Sequence, residues 1–278
     1  MSGATSPLRG GPRRGTAIAP GYRVLGRIHR SNVFDVFDAW SEARHCRCVV
    51  KTLRPDRVDD RSAARRLLAE GRRLRRYTHP HIVRAWEVHD GPRPLVVLET
   101  LTGETLAHLI DSAPRPLGAP DAAWLGLHLS SALRYLHADG LLHLDLKPSN
   151  VVAAGGRAVL IDLSVAQRPG RVPAGRGTWC YMAPEQARGG VVGPAADVWG
   201  LGMVLWEALA GAPAFPDTDT ETPQLHAPVP RLGTRRRLRG ALPALVDACL
   251  APEAADRPTL HEVAAGLAAV AGADPRTA

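Results

Sequence analysis

Apolar positions along this chain fall in short blocks, and their period changes from block to block. Cys48-Val49-Val50-Lys51 reads as a strand, and so does the apolar run at residues 94–98. Between them, residues 59–77 have helical spacing, with Leu67, Leu74 and Tyr77 on one face. Glu70 falls on that same face. A carboxylate on an apolar stripe is expensive unless it is paired, and Lys51 is the natural partner. Farther on, residues 121–138 predict an amphipathic helix carrying Leu125, Leu129, Leu133 and Leu136. A short strand follows at 151–153, a second apolar strand ends in Asp162, and residues 194–210 predict another helix. The stretch 211–232 is short and rich in proline.

With 278 residues, 45% of them hydrophobic, the chain suits one two-lobed domain or two small ones, with ample length to bury a core. Residues 1–20 are rich in Gly, Pro, Ser and Arg and read as a disordered arm, not a signal peptide. Residues 273–278 read as a frayed tail. The apolar runs are short and interrupted, as at Leu201 to Leu205, so no transmembrane helix and a cytoplasmic location are expected. Of four cysteines, Cys46 and Cys48 are close but have no second pair to match them, which reads as reduced thiols without a metal. The formal charge of +8 invites an acidic partner. Yet the runs at Arg72 to Arg76 and Arg235 to Arg239 hold no interleaved aromatics and read as solvated helix faces. Nucleic acid is therefore not an expected partner.

Among 35 basic residues only Lys51 and Lys147 are lysines. Arginine serves wherever a positive charge suffices, so a lysine marks a place where arginine's wide planar fork does not fit. Compact ammonium groups are what a phosphoryl-transfer site needs beside phosphate oxygens. Lys147 belongs to His143-Leu144-Asp145-Leu146-Lys147-Pro148-Ser149-Asn150, which holds a carboxylate, an ammonium and an amide on one loop between two packed elements.

That string resembles the catalytic loop of the protein kinases, and Lys147 is the form seen in serine/threonine kinases. Leu160-Ile161-Asp162-Leu163-Ser164 resembles the magnesium-binding D-F-G motif, twelve residues after Asn150. Gly177-Thr178-Trp179-Cys180-Tyr181-Met182-Ala183-Pro184-Glu185 resembles the segment that closes the activation loop, and Cys48-Val49-Val50-Lys51 resembles V-A-I-K. Over residues 22–272 the chain is similar to bacterial-type serine/threonine protein kinases. The resemblance implies an α+β, two-lobed protein-kinase fold: a small β-rich N-lobe (residues 21–101) of five strands and one helix, and a larger, mainly helical C-lobe (residues 102–272), with ATP between them. It implies that Asp145 accepts the substrate hydroxyl's proton, that Lys147 neutralises the moving phosphoryl group, and that Lys51, held by Glu70, binds the α- and β-phosphates. Asn150 and Asp162 then hold Mg2+; Ile28, Val36, Val49, Glu99 and Leu101 surround the nucleotide. Glu185 pairs with Arg257, and Asp197 anchors the catalytic loop.

Three departures from the family pattern matter. Counting back from Val36 places the positions of the glycine-rich loop at His29, Ser31 and Phe34, so all three glycines are missing; a second register, from Gly26, fits the rest less well. Leu144 stands where the family has the Arg that binds a phosphorylated activation loop, and residues 165–177 hold no Ser, Thr or Tyr. Ser164 replaces the glycine of D-F-G, and Ser does not tolerate positive φ as Gly does. The proline-rich stretch 211–232 implies a reduced substrate-docking helix. The reading that follows is an ATP- and Mg2+-dependent kinase acting on Ser/Thr of a protein substrate, without need of loop phosphorylation. The rival reading is a pseudokinase scaffold that binds nucleotide or partners. Nothing in the pattern specifies an oligomeric state.

Overall fold

The computed structural model describes residues 11–216 and 222–272. The first ten residues of the expected arm and the expected tail lie outside them. The described residues divide into two compact units. The first holds the chain up to Thr78 and Val83–Leu101; the second holds His79–Ile82 and everything from Thr102 onward.

The first unit is a six-stranded antiparallel sheet with one helix on it. Its strands are β1 (Ala17–Ala19), β2 (Tyr22–Arg30), β3 (Phe34–Ser41), β4 (Cys46–Leu53), β5 (Ala85–His89) and β6 (Leu95–Glu99), in the order β1-β2-β3-β4-β6-β5. One strand is more than expected. The extra strand, β1, lies within the stretch read as a disordered arm. Ala17-Ile18-Ala19 is that arm's one apolar run, and Ile18 and Ala19 pack against the cluster of Tyr22, Ala39, Cys48, Val50, Leu95 and Val97. Burial of that small apolar patch outweighs the polar composition around it. Helix α1 (Arg61–Arg76) starts at Asp60, whose carboxylate accepts the amides of Ser62 and Ala63 at 3.0 and 2.9 Å. It buries Ala63, Leu67, Glu70, Gly71 and Leu74. A Cβ on Gly71 would stand 2.5 Å from Val96, so the helix lies close enough to the sheet to need glycine there.

The second unit opens with β7 (Gly103–Thr105) and α2 (Leu106–Ser112), then α3 (Ala119–Ala138). A three-stranded sheet, β7-β8-β9, follows with β8 (Val151–Ala154) and β9 (Arg157–Leu160). The strand expected to end in Asp162 stops at Leu160. Next come β10 (Gly170–Arg171), α4 (Pro184–Arg188) and β11 (Val191–Val192), which pairs with β10. The buried axis of the unit is α5 (Pro194–Ala210), apolar nearly all round. The short α6 (Leu232–Arg235), α7 (Leu242–Cys249) and α8 (Leu260–Ala271) complete it. α3 lies against α8 so closely that a Cβ on Gly126 would meet Leu267 at 2.6 Å. In the proline-rich stretch the described residues form one 3-10 turn, Pro223–Leu225, before α6. Arg236 departs from a solvated face: its guanidinium donates to the carbonyls of Leu117 and Leu209 at 2.6 and 3.0 Å. No helix among the described residues is long and apolar enough to cross a membrane.

Candidate active site

In the first unit, β4 carries Lys51 and α1 carries Glu70, as the apolar stripe predicted. The ammonium lies 2.9 Å from both carboxylate oxygens, and both residues are buried. Val36 on β3 stands directly across from Lys51 in register, and Val49 lies two residues before it on β4. Glu99 ends β6 opposite Cys48, and Leu101 follows, half-buried. Ile28 sits at an irregularity in the β2–β3 register and is 59% exposed.

The β2–β3 turn carries the positions expected to lack glycine. His29 pairs with Val36, and Gly26 lies inside β2 opposite Asp38, well short of the turn. The register counted from Val36 is therefore the one the strands adopt. Ser31 closes the turn with its side chain. Its hydroxyl oxygen accepts the amides of Val33 at 3.2 Å and Phe34 at 2.9 Å. The Phe34 ring lies 5.1 Å from the Lys51 ammonium, a cation–π distance. Below the turn, Arg30 grips the fully buried Asp35 through two bonds of 2.6 and 2.7 Å.

In the second unit the catalytic-loop string is held from several directions. Asp197, in the first turn of α5, is buried and accepts the amides of His143 and Leu144, each at 2.8 Å, and binds His137 Nε2 at 2.7 Å. Leu144 has φ of 61°, a left-handed conformation that a branched side chain adopts only under such constraint. The turn it makes presents Asp145. One oxygen of Asp145 accepts the Thr178 hydroxyl at 2.6 Å; the other lies 3.0 Å from Asn150 Nδ2 and 3.1 Å from Lys147 Nζ. Lys147 also donates to the Thr178 hydroxyl. Asp145, Lys147, Asn150 and Thr178 thus form one closed cluster.

The amide of Ile161 donates to the Asn150 carbonyl at 3.1 Å, which sets the Asp162 segment beside the loop. Asp162 accepts the Ser164 amide at 2.8 Å, and Leu163 is buried. Glu185 and Arg257 form a two-bond pair, both at 2.8 Å, on α4 and before α8. Tyr181 donates to Glu207 at 2.7 Å; burial raises the pKa of the phenol and of this carboxyl alike.

Thr178 was read only as part of the segment that closes the activation loop, without its contact to Asp145, and His137 and Gln186 were not singled out by sequence reasoning. For Thr178 a signal existed: it is the first hydroxyl after residues 165–177, which have none. His137 and Gln186 carry no such mark, because their partners lie 60 and 42 residues away. The four thiols are free, burial pushes Cys48 up to about 11 and Cys249 up to about 12, and no metal-binding group of His, Cys, Asp or Glu occurs among the described residues.

The protein kinase domain family matches residues 22–266. The chain belongs to the protein kinase family. Among its relatives, the serine/threonine-protein kinase PknD of Mycobacterium tuberculosis is 30% identical over 96% of this chain and 41% of its own length. PkaA of Streptomyces coelicolor is 34% identical over 80% and 42%, respectively. This kinase chain thus spans about two fifths of the length of the curated relatives it matches. The solved kinase domain of Mycobacterium tuberculosis PknI superposes with a TM-score of 0.74 at 26% identity, covering 94% of this chain and 100% of that one. The α+β protein-kinase fold, with a β-rich first unit and a mainly helical second unit, is therefore that of bacterial serine/threonine kinases.

Proposed function

We propose that the chain transfers the γ-phosphate of ATP to a serine or threonine of a protein substrate, and does so without phosphorylation of its activation loop. The cluster of Asp145, Lys147, Asn150 and Thr178 carries this reading. Asp145 is oriented by three hydrogen-bonding neighbours, as a group that must accept a hydroxyl proton should be. Lys147 holds a compact positive charge beside that carboxylate, where charge builds up on the transferred phosphoryl group. Lys51, fixed by Glu70, binds the α- and β-phosphates. Ile28, Val36 and Val49 pack on the adenine, and the backbone at Glu99 and Leu101 bonds its edge.

The ligand set suits magnesium. Asn150 turns its NH2 group toward Asp145 and keeps its carbonyl oxygen as an acceptor, and Asp162 adds a carboxylate. Both are hard oxygen donors of the kind Mg2+ takes together with phosphate and water. Bound there, the ion neutralises phosphate charge.

Loop-phosphorylation independence is supported by the main-chain ties of residues 165–177. Leu142 and Gln167 exchange two backbone bonds of 2.8 and 3.1 Å, and β10 pairs with β11. The pseudokinase reading is favoured by one observation: the Ser31 hydroxyl takes up the amides of Val33 and Phe34, which a glycine-rich loop would offer to phosphate. Nucleotide titration with and without magnesium, on wild type and Lys51→Met, tests the site. Equal affinity in all four cases would remove it. Phosphate transfer from labelled ATP to a generic acceptor protein, before and after phosphatase treatment, separates the two readings.

A further inference from the structure

Gln186, the residue after the Ala183-Pro184-Glu185 triplet, is buried to within 1% of its surface. Its side-chain nitrogen donates to two main-chain carbonyls: Leu144, at 2.7 Å, and Arg176. Both acceptors are strategically placed. Leu144 is the left-handed residue directly before Asp145, and Arg176 lies two residues before Thr178, which bonds Asp145. Two carbonyls facing one nitrogen require that nitrogen to carry both hydrogens, so the amide's orientation is dictated.

The base of this bridge is firm. Gln186 sits on α4, next to Glu185, and Glu185 is clamped by Arg257, which also donates to the carbonyls of Ala195, Ala251 and Pro252. The space around the bridge is closed. Gly177 has φ of 139°, and a Cβ there would stand 2.7 Å from Gln186 Nε2 and 3.0 Å from the Leu144 carbonyl. The chain therefore needs glycine at 177 for the amide to reach both carbonyls.

We propose that Gln186 is a positioning residue: its amide ties the catalytic loop to the activation segment and so sets the Thr178–Asp145 contact, in place of a phosphate clamp. Position 144 is still joined to the loop, but through its carbonyl and a neutral amide, with no arginine and no added phosphate. The tie depends on no modification. The inference rests on the kinase reading above for its effect on rate, and on geometry alone for its effect on the loop.

Gln186→Met keeps the volume and removes both donors, and Gln186→Glu keeps the shape while turning an acceptor toward two acceptors. Two readouts are taken: kcat and KM for ATP, and hydrogen exchange of the amides at residues 174–178. We expect both variants to lose on the order of tenfold or more in kcat, with KM for ATP within about twofold, and the 174–178 amides to exchange faster. A side chain that only fills space would leave Gln186→Met like wild type in both readouts, and that result overturns the proposal. If wild type transfers no phosphate yet exchange at 174–178 rises in Gln186→Met, the tie stands and the kinase reading falls.

Discussion

Thr178 donates its hydroxyl to Asp145 at 2.6 Å while accepting from Lys147, so one short side chain joins the proposed base to the proposed phosphate-binding ammonium. Removing it leaves Asp145 held only by Asn150 and Lys147, and Lys147 only by Asp145. Thr178→Val, which keeps the shape, is expected to lower kcat on the order of a hundredfold, the scale for a displacement of about 1 Å near the chemistry. Thr178→Ser, which keeps the hydroxyl, is expected to stay within about threefold of wild type. Steady-state phosphate transfer with both variants checks this; equal rates would make the contact incidental.

The Lys51–Glu70 pair is buried on both sides, so it should behave as a unit in stability measurements. Lys51→Met removes the ammonium that both Glu70 oxygens bond. Losing one member of a buried pair costs about 3–5 kcal/mol, whereas replacing both members by apolar groups is often neutral. Urea unfolding should show Lys51→Met well below wild type and Lys51→Met/Glu70→Leu recovering much of the loss. A double variant no more stable than the single one would show that the charge left behind was not the cost.

How much of this was legible beforehand follows from the range of the forces involved. Glu70 announced its partner because a lone acid on the Leu67–Leu74 stripe is costly wherever the chain goes. Asp145, Lys147, Asn150 and Asp162 lie within eighteen residues of one another, so a short string carries them. β1 was missed because three apolar residues are too short a run to show a period, and only the cluster of Tyr22 and Val50 makes packing of Ile18 and Ala19 worthwhile. The roles of Gln186 and Ser31 could not be read at all. A glutamine bridging two carbonyls, and a serine closing a turn, depend on where the backbone runs, not on which residues are nearby in sequence.

His128 on α3 stacks on His81 with ring centres 4.2 Å apart, and its Nδ1 accepts the Ala158 amide at 3.3 Å. Burial lowers its pKa to about 4, with His81 and Arg157 adding to the effect. Burial lowers His81 and His79 as well. The charged group facing this stack is Arg157 on β9, Trp124 lies at its edge, and His79 is in turn flanked by Ser131 and Tyr135. A depressed histidine pKa contributes stability that is whole above about 6.5 and is lost as pH falls toward about 4. Tm should therefore drop steadily across that window. His128→Phe, which cannot take a proton, should flatten the drop; an unchanged slope would place the titration elsewhere.

The last expectation concerns Lys147, one of only two lysines among 35 basic residues. Its ammonium reaches Asp145 at 3.1 Å and Thr178 together, in a half-buried setting between the catalytic loop and the activation segment. Arginine keeps the charge but spreads it over a planar fork wider than that gap. Since this chain uses arginine for 33 of its 35 cations, supply of charge cannot be why lysine stands here. Lys147→Arg is therefore expected to cost on the order of a hundredfold in kcat, with folding intact by thermal melting. The control is Arg134→Lys, an exposed position on α3, where the same exchange in the opposite direction should leave kcat within about twofold. Near-normal kcat in Lys147→Arg would mean that charge alone suffices at this position, and the scarcity of lysine would then carry no weight as a sign of phosphoryl transfer.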